Sequence, residues 1–233
     1  MTFLVAIDGP AGTGKSSVAR LVAQQKGFIY VDTGALYRGL AFLALKYGLK
    51  PDDYAGVVKL IDHMQVSIDE KTNSTKIIID GDVLDQELRS EHISRASSVV
   101  SQDKKVRDKL LAVQRNLAGL IKTGAIFEGR DIGTVVFPKA PLKIFITANS
   151  KTRAKRRFDE LSNHKGSADY QEILDAIEKR DERDKNRVTA PMQEAHDATV
   201  IDSSDMSLEQ VINQTLELIN HAQARPRKDS KLW

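Results

Sequence analysis

Residues 9–17 carry side chains and spacing suited to holding phosphate groups. They read Gly-Pro-Ala-Gly-Thr-Gly-Lys-Ser-Ser and fit the pattern G-x-x-x-x-G-K-(S/T). Glycines let such a loop curl so that its backbone N–H groups point at phosphate oxygens. Lys15 would reach the β- and γ-phosphates, and the Ser16 hydroxyl would bind Mg²⁺. The residues predicted to hold a nucleoside triphosphate are Gly9, Pro10, Ala11, Gly12, Thr13, Gly14, Lys15, Ser16 and Ser17, with Ser16 as the metal ligand.

The segments on either side of this loop are those that the chemistry requires. The apolar run 3–8 predicts a strand, and 18–25 predicts an amphipathic helix. A helix N-terminus adds partial positive charge where the phosphates would lie. The alternative is a glycine-rich turn without a ligand, but the strand, both glycines and the Lys-Ser pair together favour triphosphate binding.

Composition places the chain among ordinary globular proteins. Of 233 residues, 29% are charged and 41% hydrophobic, and the net charge is +3. No cysteine is present, which excludes disulfides, thiolate zinc sites and a cysteine nucleophile. Neither a signal peptide nor a membrane-spanning run is recognisable. We expect a soluble cytoplasmic protein that binds no membrane and no nucleic acid.

Apolar runs alternate with helical patterns along the chain, which predicts an α/β fold with a parallel sheet. The predicted core has five strands, with helices on both faces: 3–8, 28–31, 124–128, 142–147 and 198–202. The predicted helices are 18–25, 35–47, a segment capped by Asp52 or Asp53 that runs to 61, 92–101, 103–122, one that begins at 150, 169–186 and 207–222. Segments 65–69 and 76–80 instead predict a small antiparallel sheet in an inserted subdomain.

Arginines near strand ends and loops distinguish between the classes of protein that use a phosphate-binding loop. No Asn is followed by Lys-x-Asp, the guanine-reading pattern of GTPases. Arg180, Asp184 and Arg187 share one helix face by spacing, and so do Arg153, Arg156 and Arg157. A solvated helix face is the alternative for each set. Two such faces around a polar break at 162–167 favour a lid that closes over a transferring phosphate.

Four motifs together resemble those of bacterial cytidylate kinases, a family of P-loop nucleoside monophosphate kinases. They are Asp8-Gly-Pro-Ala-Gly-Thr-Gly-Lys-Ser, Asp32-Thr-Gly-Ala-Leu-Tyr-Arg, Gly129-Arg-Asp-Ile-Gly-Thr-Val-Val-Phe-Pro and Arg180-Asp-Glu-Arg-Asp-Lys-Asn-Arg. The resemblance covers nearly the whole chain in the right order. It implies transfer of the γ-phosphoryl group of ATP to CMP or dCMP with Mg²⁺ (EC 2.7.4.25).

The resemblance also implies roles for individual side chains. The residues matched to the nucleotide acceptor are Thr33, Arg38, Ser98, Arg107, Arg130, Asp131, Arg180, Asp184 and Arg187. The residues matched to catalysis are Lys15, Arg130, Arg153, Arg157 and Arg187. Ser98, Arg107 and Asp131 would lie near the base, whereas Arg38, Arg130 and Arg187 would bind the acceptor phosphate.

Two positions differ from the common pattern of the family. Glu128 stands where aspartate is usual, and Thr33 where serine is frequent. We expect one kinase domain over 1–225, with an acceptor-binding insertion at about 35–115 and a lid at about 150–168. The basic tail 226–233 is expected to be disordered, and the protein to be a monomer. Alternatives are a UMP/CMP kinase, another small-molecule P-loop kinase, or a nucleotide-binding switch without catalysis.

Overall fold

The computed structural model describes residues 2–165 and 169–225. Their strands are β1 (Phe3–Asp8), β2 (Ile29–Asp32), β3 (Met64–Asp69), β4 (Ser74–Ile79), β5 (Asp82–Leu84), β6 (Gly124–Glu128), β7 (Leu142–Thr147) and β8 (Thr199–Asp202). Their α-helices are α1 (Lys15–Lys26), α2 (Thr33–Lys46), α3 (Tyr54–Val57), α4 (Glu91–Val100), α5 (Lys104–Leu120), α6 (Ser150–Lys165), α7 (Tyr170–Asn186) and α8 (Leu208–Ala224). Short 3₁₀ segments lie at Val58–His63 and Glu87–Arg89, and a π-helical turn lies at Ile132–Val136.

The chain divides into two compact units. The insert unit contains Thr2 and residues 23–127. The loop unit contains residues 3–22 and the described residues from 128 onwards, and therefore carries the phosphate-binding loop. The fold is α/β, with parallel pairings and an antiparallel β3–β4 hairpin.

The sheet of the insert unit has the strand order β3-β4-β2-β6, with β5 on β4. β3 and β4 are antiparallel, as the sequence predicts, in register from Met64 opposite Ile79 to Asp69 opposite Ser74. These antiparallel strands are not isolated from the parallel ones, because β4 also pairs in parallel with β2. The Tyr30 amide donates to the Asn73 carbonyl over 2.8 Å at this junction.

Apolar residues at helical spacing form the core of the insert unit. Leu36, Leu40 and Leu43 of α2 are fully buried and belong to one cluster with Ile77 of β4 and Leu110 of α5. Burial of this leucine face is the main stabilising term for α2, at roughly 1.5–3 kcal/mol for each large side chain. Asp103 caps α5 through the Val106 amide, which fixes where that helix begins.

The loop unit contains the parallel strands β1, β7 and β8 in that order. All six residues of β1 are buried, which matches the continuous apolar run of a strand covered on both faces. α8 packs on β7, and Ser207 with Gln210 forms a capping box at its start. At the start of α7, the Asp169 side chain accepts from the Glu172 amide.

Most predicted elements are confirmed with ends that differ by no more than two or three residues. The predicted bounds of β1, β6 and β7 agree with the structure at both ends. α6 continues to Lys165, so the helix extends three residues past the predicted start of the break at Ser162. The predicted helix that runs to 61 is a short α-helix, capped by Asp53, followed by a 3₁₀ segment. Residues 166–168 of the predicted lid and the predicted tail 226–233 lie outside the described residues. In the described ranges, the helices are too short or too polar to cross a membrane.

Candidate active site

The phosphate-binding loop joins β1 to α1 and depends on the backbone of Gly9. Gly9 has a φ of 140°, a conformation that residues with a side chain rarely adopt. A Cβ atom at this position would lie 2.0 Å from the carbonyl oxygen of Ile146. The loop can therefore pass close to β7 only with glycine at position 9. α1 begins at Lys15, which places a helix N-terminus beside the loop.

Lys15 is held inside the loop unit at only 4% exposure. Its Nζ donates to the Pro10 carbonyl over 2.6 Å and lies 3.8 Å from Oε1 of Glu128. Burial lowers the pKa of Lys15, and Arg130 and Arg180 lower it further against the opposing effect of Glu128. Phosphate oxygens would stabilise the charged amine, so this environment favours binding of an anion.

The Ser16 hydroxyl of the loop and the Glu128 carboxylate at the end of β6 are oxygen donors that fit a magnesium ion. The Ser16 hydroxyl donates to Oε2 of Glu128 over 3.0 Å. Mg²⁺ prefers oxygen ligands and is usually held by one or two protein groups together with substrate phosphates. Within the described ranges, no group of three or more His, Cys, Asp or Glu side chains is arranged to hold a metal.

Arg153 on α6 is hydrogen-bonded to the phosphate-binding loop. Its guanidinium donates to the carbonyls of Ala11 and Ala148, each over 2.9 Å, and to Oδ2 of Asp181 over 2.5 Å. The residue is 4% exposed. Arg153 thus connects α6, α7 and the loop through charge-assisted hydrogen bonds.

The other two arginines of this helix have different surroundings. Arg156 donates to the Ser203 hydroxyl and to the carbonyls of Ser203 and Met206. Arg157 is 40% exposed and forms an ion pair with Glu160 over 2.8 Å. Of the three arginines that the sequence places on one lid face, only Arg157 presents a large exposed fraction.

The segment after β6 and the end of α7 form two arginine–aspartate pairs. Nε of Arg130 donates to Oδ2 of Asp184 over 3.1 Å. Nη2 of Arg187 donates to Oδ1 of Asp131 over 3.3 Å. Nε of Arg187 also donates to the Ala190 carbonyl over 2.5 Å, which orients the guanidinium. These arginines are paired with carboxylates that a phosphate could replace, because it offers oxygen acceptors of the same kind.

The insert unit contains the remaining residues matched to the acceptor. Arg38 of α2 pairs over 2.6 Å with Asp32, the N-cap residue of that helix, and Thr33 next to Asp32 is buried. The Arg107 guanidinium lies over the ring of Tyr37, 5.3 Å from its centroid, and donates to the Ser101 carbonyl. Ser98 is also buried in this unit, at 6% exposure. The structure therefore divides the predicted acceptor residues between the two units.

Sequence reasoning missed two carboxylates that organise the loop unit. Asp181 holds Arg153, and Asp8 accepts from the amides of Ile132 and Gly133. Both are buried, at 8% and 5% exposure. Burial raises the pKa of Asp8 to about 7, despite the opposing effect of those two amide hydrogen bonds. A sequence signal was present only for Asp8, which stands at the junction of an apolar strand and the glycine loop.

The fold and this site define a class of protein. They are those of a P-loop phosphotransferase. Its parts are a glycine-rich loop between a parallel strand and a helix, a buried lysine in that loop and several arginine–carboxylate pairs.

Comparisons with known proteins assign the family. The cytidylate kinase family model matches residues 5–221. A cytidylate kinase from Caldicellulosiruptor bescii is 42% identical over 92% of this chain and 94% of its own length. One from Clostridium tetani is 41% identical over 94% of each chain, and one from Vibrio cholerae is 39% identical over 94% of this chain and 96% of its own. The chain belongs to the cytidylate kinase family, and it is an enzyme of the transferase class (EC 2.7.4.25).

A solved structure supports the fold alone. An uncharacterised protein from Eubacterium ventriosum superposes with a TM-score of 0.53 at 14% identity, covering 96% of this chain and 100% of that one.

Proposed function

We propose that the protein transfers the γ-phosphoryl group of ATP to CMP or dCMP and releases ADP with CDP or dCDP. The observation that carries this proposal is the pairing of Arg187 with Asp131 and of Arg130 with Asp184 in the unit that holds the phosphate-binding loop. Two guanidinium groups held by carboxylates can exchange those partners for the oxygens of an incoming phosphate.

The donor side of the proposed reaction uses the loop 9–17. Its backbone N–H groups and the start of α1 would hold the ATP phosphates, and Lys15 would neutralise charge on the transferring group. Ser16, with Glu128 beside it, would hold Mg²⁺, which supplies further charge neutralisation when bound. Arg157 would contact the donor phosphates directly. Arg153 supports the same loop through the Ala11 carbonyl.

The acceptor side combines a phosphate clamp with recognition of the base. Arg38, Arg130 and Arg187 would bind the CMP phosphate. Thr33, Arg180 and Asp184 would lie near the rest of the nucleotide, with Arg180 and Asp184 at the sugar. Ser98, Arg107 and Asp131 would surround cytosine.

Cytosine presents an exocyclic amine that a carboxylate such as Asp131 accepts. Uracil presents a carbonyl in its place, which would repel the carboxylate and lower affinity. The proposal therefore predicts selection of cytosine over uracil.

No general base is required by this scheme. The phosphate of CMP carries an ionised oxygen at neutral pH, and that oxygen is itself the nucleophile. Its bond to the γ-phosphorus forms as the bond between that phosphorus and the β-bridging oxygen breaks, which leaves ADP. Catalysis then depends on alignment and charge stabilisation by the arginines and Lys15.

The finer organisation is also proposed. Residues of about 35–115 form the acceptor-binding insertion on a five-stranded kinase core, and about 150–168 form the lid. The protein acts as a monomer in the cytoplasm, where ATP and free nucleotides occur. Light scattering of the purified protein tests the oligomeric state, and a dimer mass would contradict the proposal.

A coupled ADP-release assay with Mg-ATP and CMP, dCMP, UMP or AMP as acceptor tests the function. We expect rapid turnover with CMP and dCMP, slow turnover with UMP and almost none with AMP. Equal rates with CMP and UMP would contradict cytosine selection and favour a UMP/CMP kinase. Absence of turnover with any acceptor would contradict the enzymatic proposal and favour a nucleotide-binding switch.

A further inference from the structure

Asp8 joins the two segments of the loop unit that the proposed reaction uses. It is the last residue of β1 and directly precedes Gly9, the first residue of the phosphate-binding loop. Its Oδ1 accepts from the Ile132 amide over 2.8 Å, and its Oδ2 accepts from the Gly133 amide over 2.7 Å. Both oxygens of one buried carboxylate are therefore committed to the turn that follows Asp131.

The π-helical turn Ile132–Val136 is not capped by the side chain of its own N-cap residue. Asp131 stands at the N-cap position of the π-helical turn, where an aspartate side chain usually accepts from the amide of the second or third residue, here Gly133 or Thr134. Its side chain makes no such bond, whereas its main-chain carbonyl accepts from the Val135 amide. The Asp131 carboxylate accepts instead from Arg187. Asp8 thus satisfies the Gly133 amide, which would otherwise be open to the Asp131 side chain.

The start of the same segment is anchored to β1 as well. The Gly129 amide donates to the Ile7 carbonyl over 2.9 Å. Ile7 and Asp8 therefore hold residues 129 and 132–133, and only Arg130 and Asp131 lie between these anchors. A Cβ at Gly133 would lie 3.1 Å from Cδ of Lys143, so the small residue lets the turn pack closely against that side chain.

We propose that Asp8 is a positioning residue for acceptor selection: by capping the turn at Ile132 and Gly133, it directs the Asp131 carboxylate towards the base and Arg130 towards the acceptor phosphate. The proposal rests on the acceptor roles given above to Asp131 and Arg130. It assigns Asp8 no contact with either substrate. Without Asp8, the Asp131 side chain would turn back to cap its own turn.

Steady-state kinetics of Asp8→Ala and Asp8→Asn test the proposal. We expect Asp8→Ala to raise the KM for CMP about tenfold to a hundredfold, with the KM for ATP unchanged. The preference for CMP over UMP should fall in Asp8→Ala. It should fall less in Asp8→Asn, because that variant keeps one acceptor oxygen. Asp205→Asn is the control, because it alters an exposed carboxylate of the loop unit. An equal rise in both KM values, or an unchanged preference for CMP, would overturn the proposal.

A double-mutant cycle separates positioning from a general loss of structure. If Asp8 acts through Asp131, the Asp8→Ala/Asp131→Asn protein should lose no more cytosine preference than Asp131→Asn alone. If the losses of cytosine preference in the two single variants multiply in the double variant, Asp8 and Asp131 act independently. That result would refute the positioning role.

Hydrogen exchange of the wild-type protein keeps the test decisive if the variants fail to fold. The Ile132 and Gly133 amides should exchange slowly, and rates typical of an open loop would contradict the cap. A wild-type protein that turns over no CMP would refute the proposed function, whereas the exchange rates would still decide whether Asp8 holds this turn.

Discussion

The Arg153 guanidinium donates to the carbonyl of Ala11 over 2.9 Å, so a helix of the predicted lid is fastened to the phosphate-binding loop itself. The same guanidinium pairs with Asp181, whose Oδ1 is buried without a hydrogen-bond partner in the described structure. At this depth each charge is costly to bury alone, so the fold depends on both partners being present together.

Arg153→Ala should therefore destabilise the protein strongly. We expect the free energy of unfolding to fall by about 3–5 kcal/mol, since Asp181 would remain as an uncompensated buried charge. Urea unfolding measures it. The double variant Arg153→Met/Asp181→Leu should recover part of the loss, because it removes both charges. If Arg153→Ala keeps full stability but has lowered turnover, Arg153 acts on the phosphates and does not stabilise the fold.

Lys15→Ala should abolish most phosphoryl transfer. We expect kcat to fall by about a hundredfold to a thousandfold, because a positive charge beside the transferring phosphoryl group is removed. The coupled ADP-release assay measures this change. Arg20→Ala, an exposed substitution on the same helix, is the control and should retain normal turnover. Comparable activity in the two variants would contradict the role given to Lys15.

Arg187→Ala should weaken use of the acceptor. We expect the KM for CMP to rise about tenfold to a hundredfold, because a charge-assisted contact with the acceptor phosphate is lost. The KM for ATP should change little. Arg183→Ala removes an exposed arginine of α7 and serves as the control. Unchanged CMP kinetics in Arg187→Ala would remove this residue from the proposed clamp.

Glu128→Gln should alter the requirement for magnesium. Glu128 accepts from the Ser16 hydroxyl, so its charge acts next to the proposed metal ligand. We expect the half-saturating Mg²⁺ concentration to rise about tenfold, as for changes to groups that orient metal ligands. A Mg²⁺ titration of activity measures this, with Asp205→Asn as an exposed control. Activity that persists after chelation would rule out the metal requirement altogether.

Asp8 should make the stability of the ligand-free protein depend on pH. The pKa of this carboxyl is raised by burial from 3.8 to about 7 in the folded state. A raised pKa means that the folded state binds the proton more tightly, so the contribution to stability is present below pH 3.8. It is lost as the pH rises through about 7.

Urea unfolding of the wild-type protein and Asp8→Asn over this range measures the effect. The free energy of unfolding of the wild type should decline relative to that of the variant as the pH increases. A constant difference between the two proteins would contradict the raised pKa.

Local signals made much of this fold predictable from sequence. The apolar run before Gly9 and the capping residues Asp103, Asp169 and Ser207 fix where elements begin, and each acts on neighbours within a few residues. The junction of β4 with β2 was not predictable, since it depends on one pairing between Tyr30 and Ser74 in distant segments.

Side-chain environments in the site were harder to predict than positions. Helical spacing places Arg153, Arg156 and Arg157 near one another but gives no information about burial, and the structure gives them three different environments. The contact between Asp8 and Ile132 joins residues 124 positions apart, and no periodicity encodes it. The motifs identify which residues matter, whereas tertiary packing determines what each one touches.

The conformation of Gly9 has a consequence for how this sequence can vary. Because any L-amino acid other than glycine would place its Cβ against the Ile146 carbonyl, every codon change at position 9 that alters the residue should be lost under selection for activity. At Gly14, which has a φ of 87° but no atom within 4 Å of an added Cβ, asparagine should survive in a fraction of variants. If a saturation library selected for activity keeps only glycine at both positions, backbone strain restricts this loop. Contact with the Ile146 carbonyl of β7 would then not be the deciding factor.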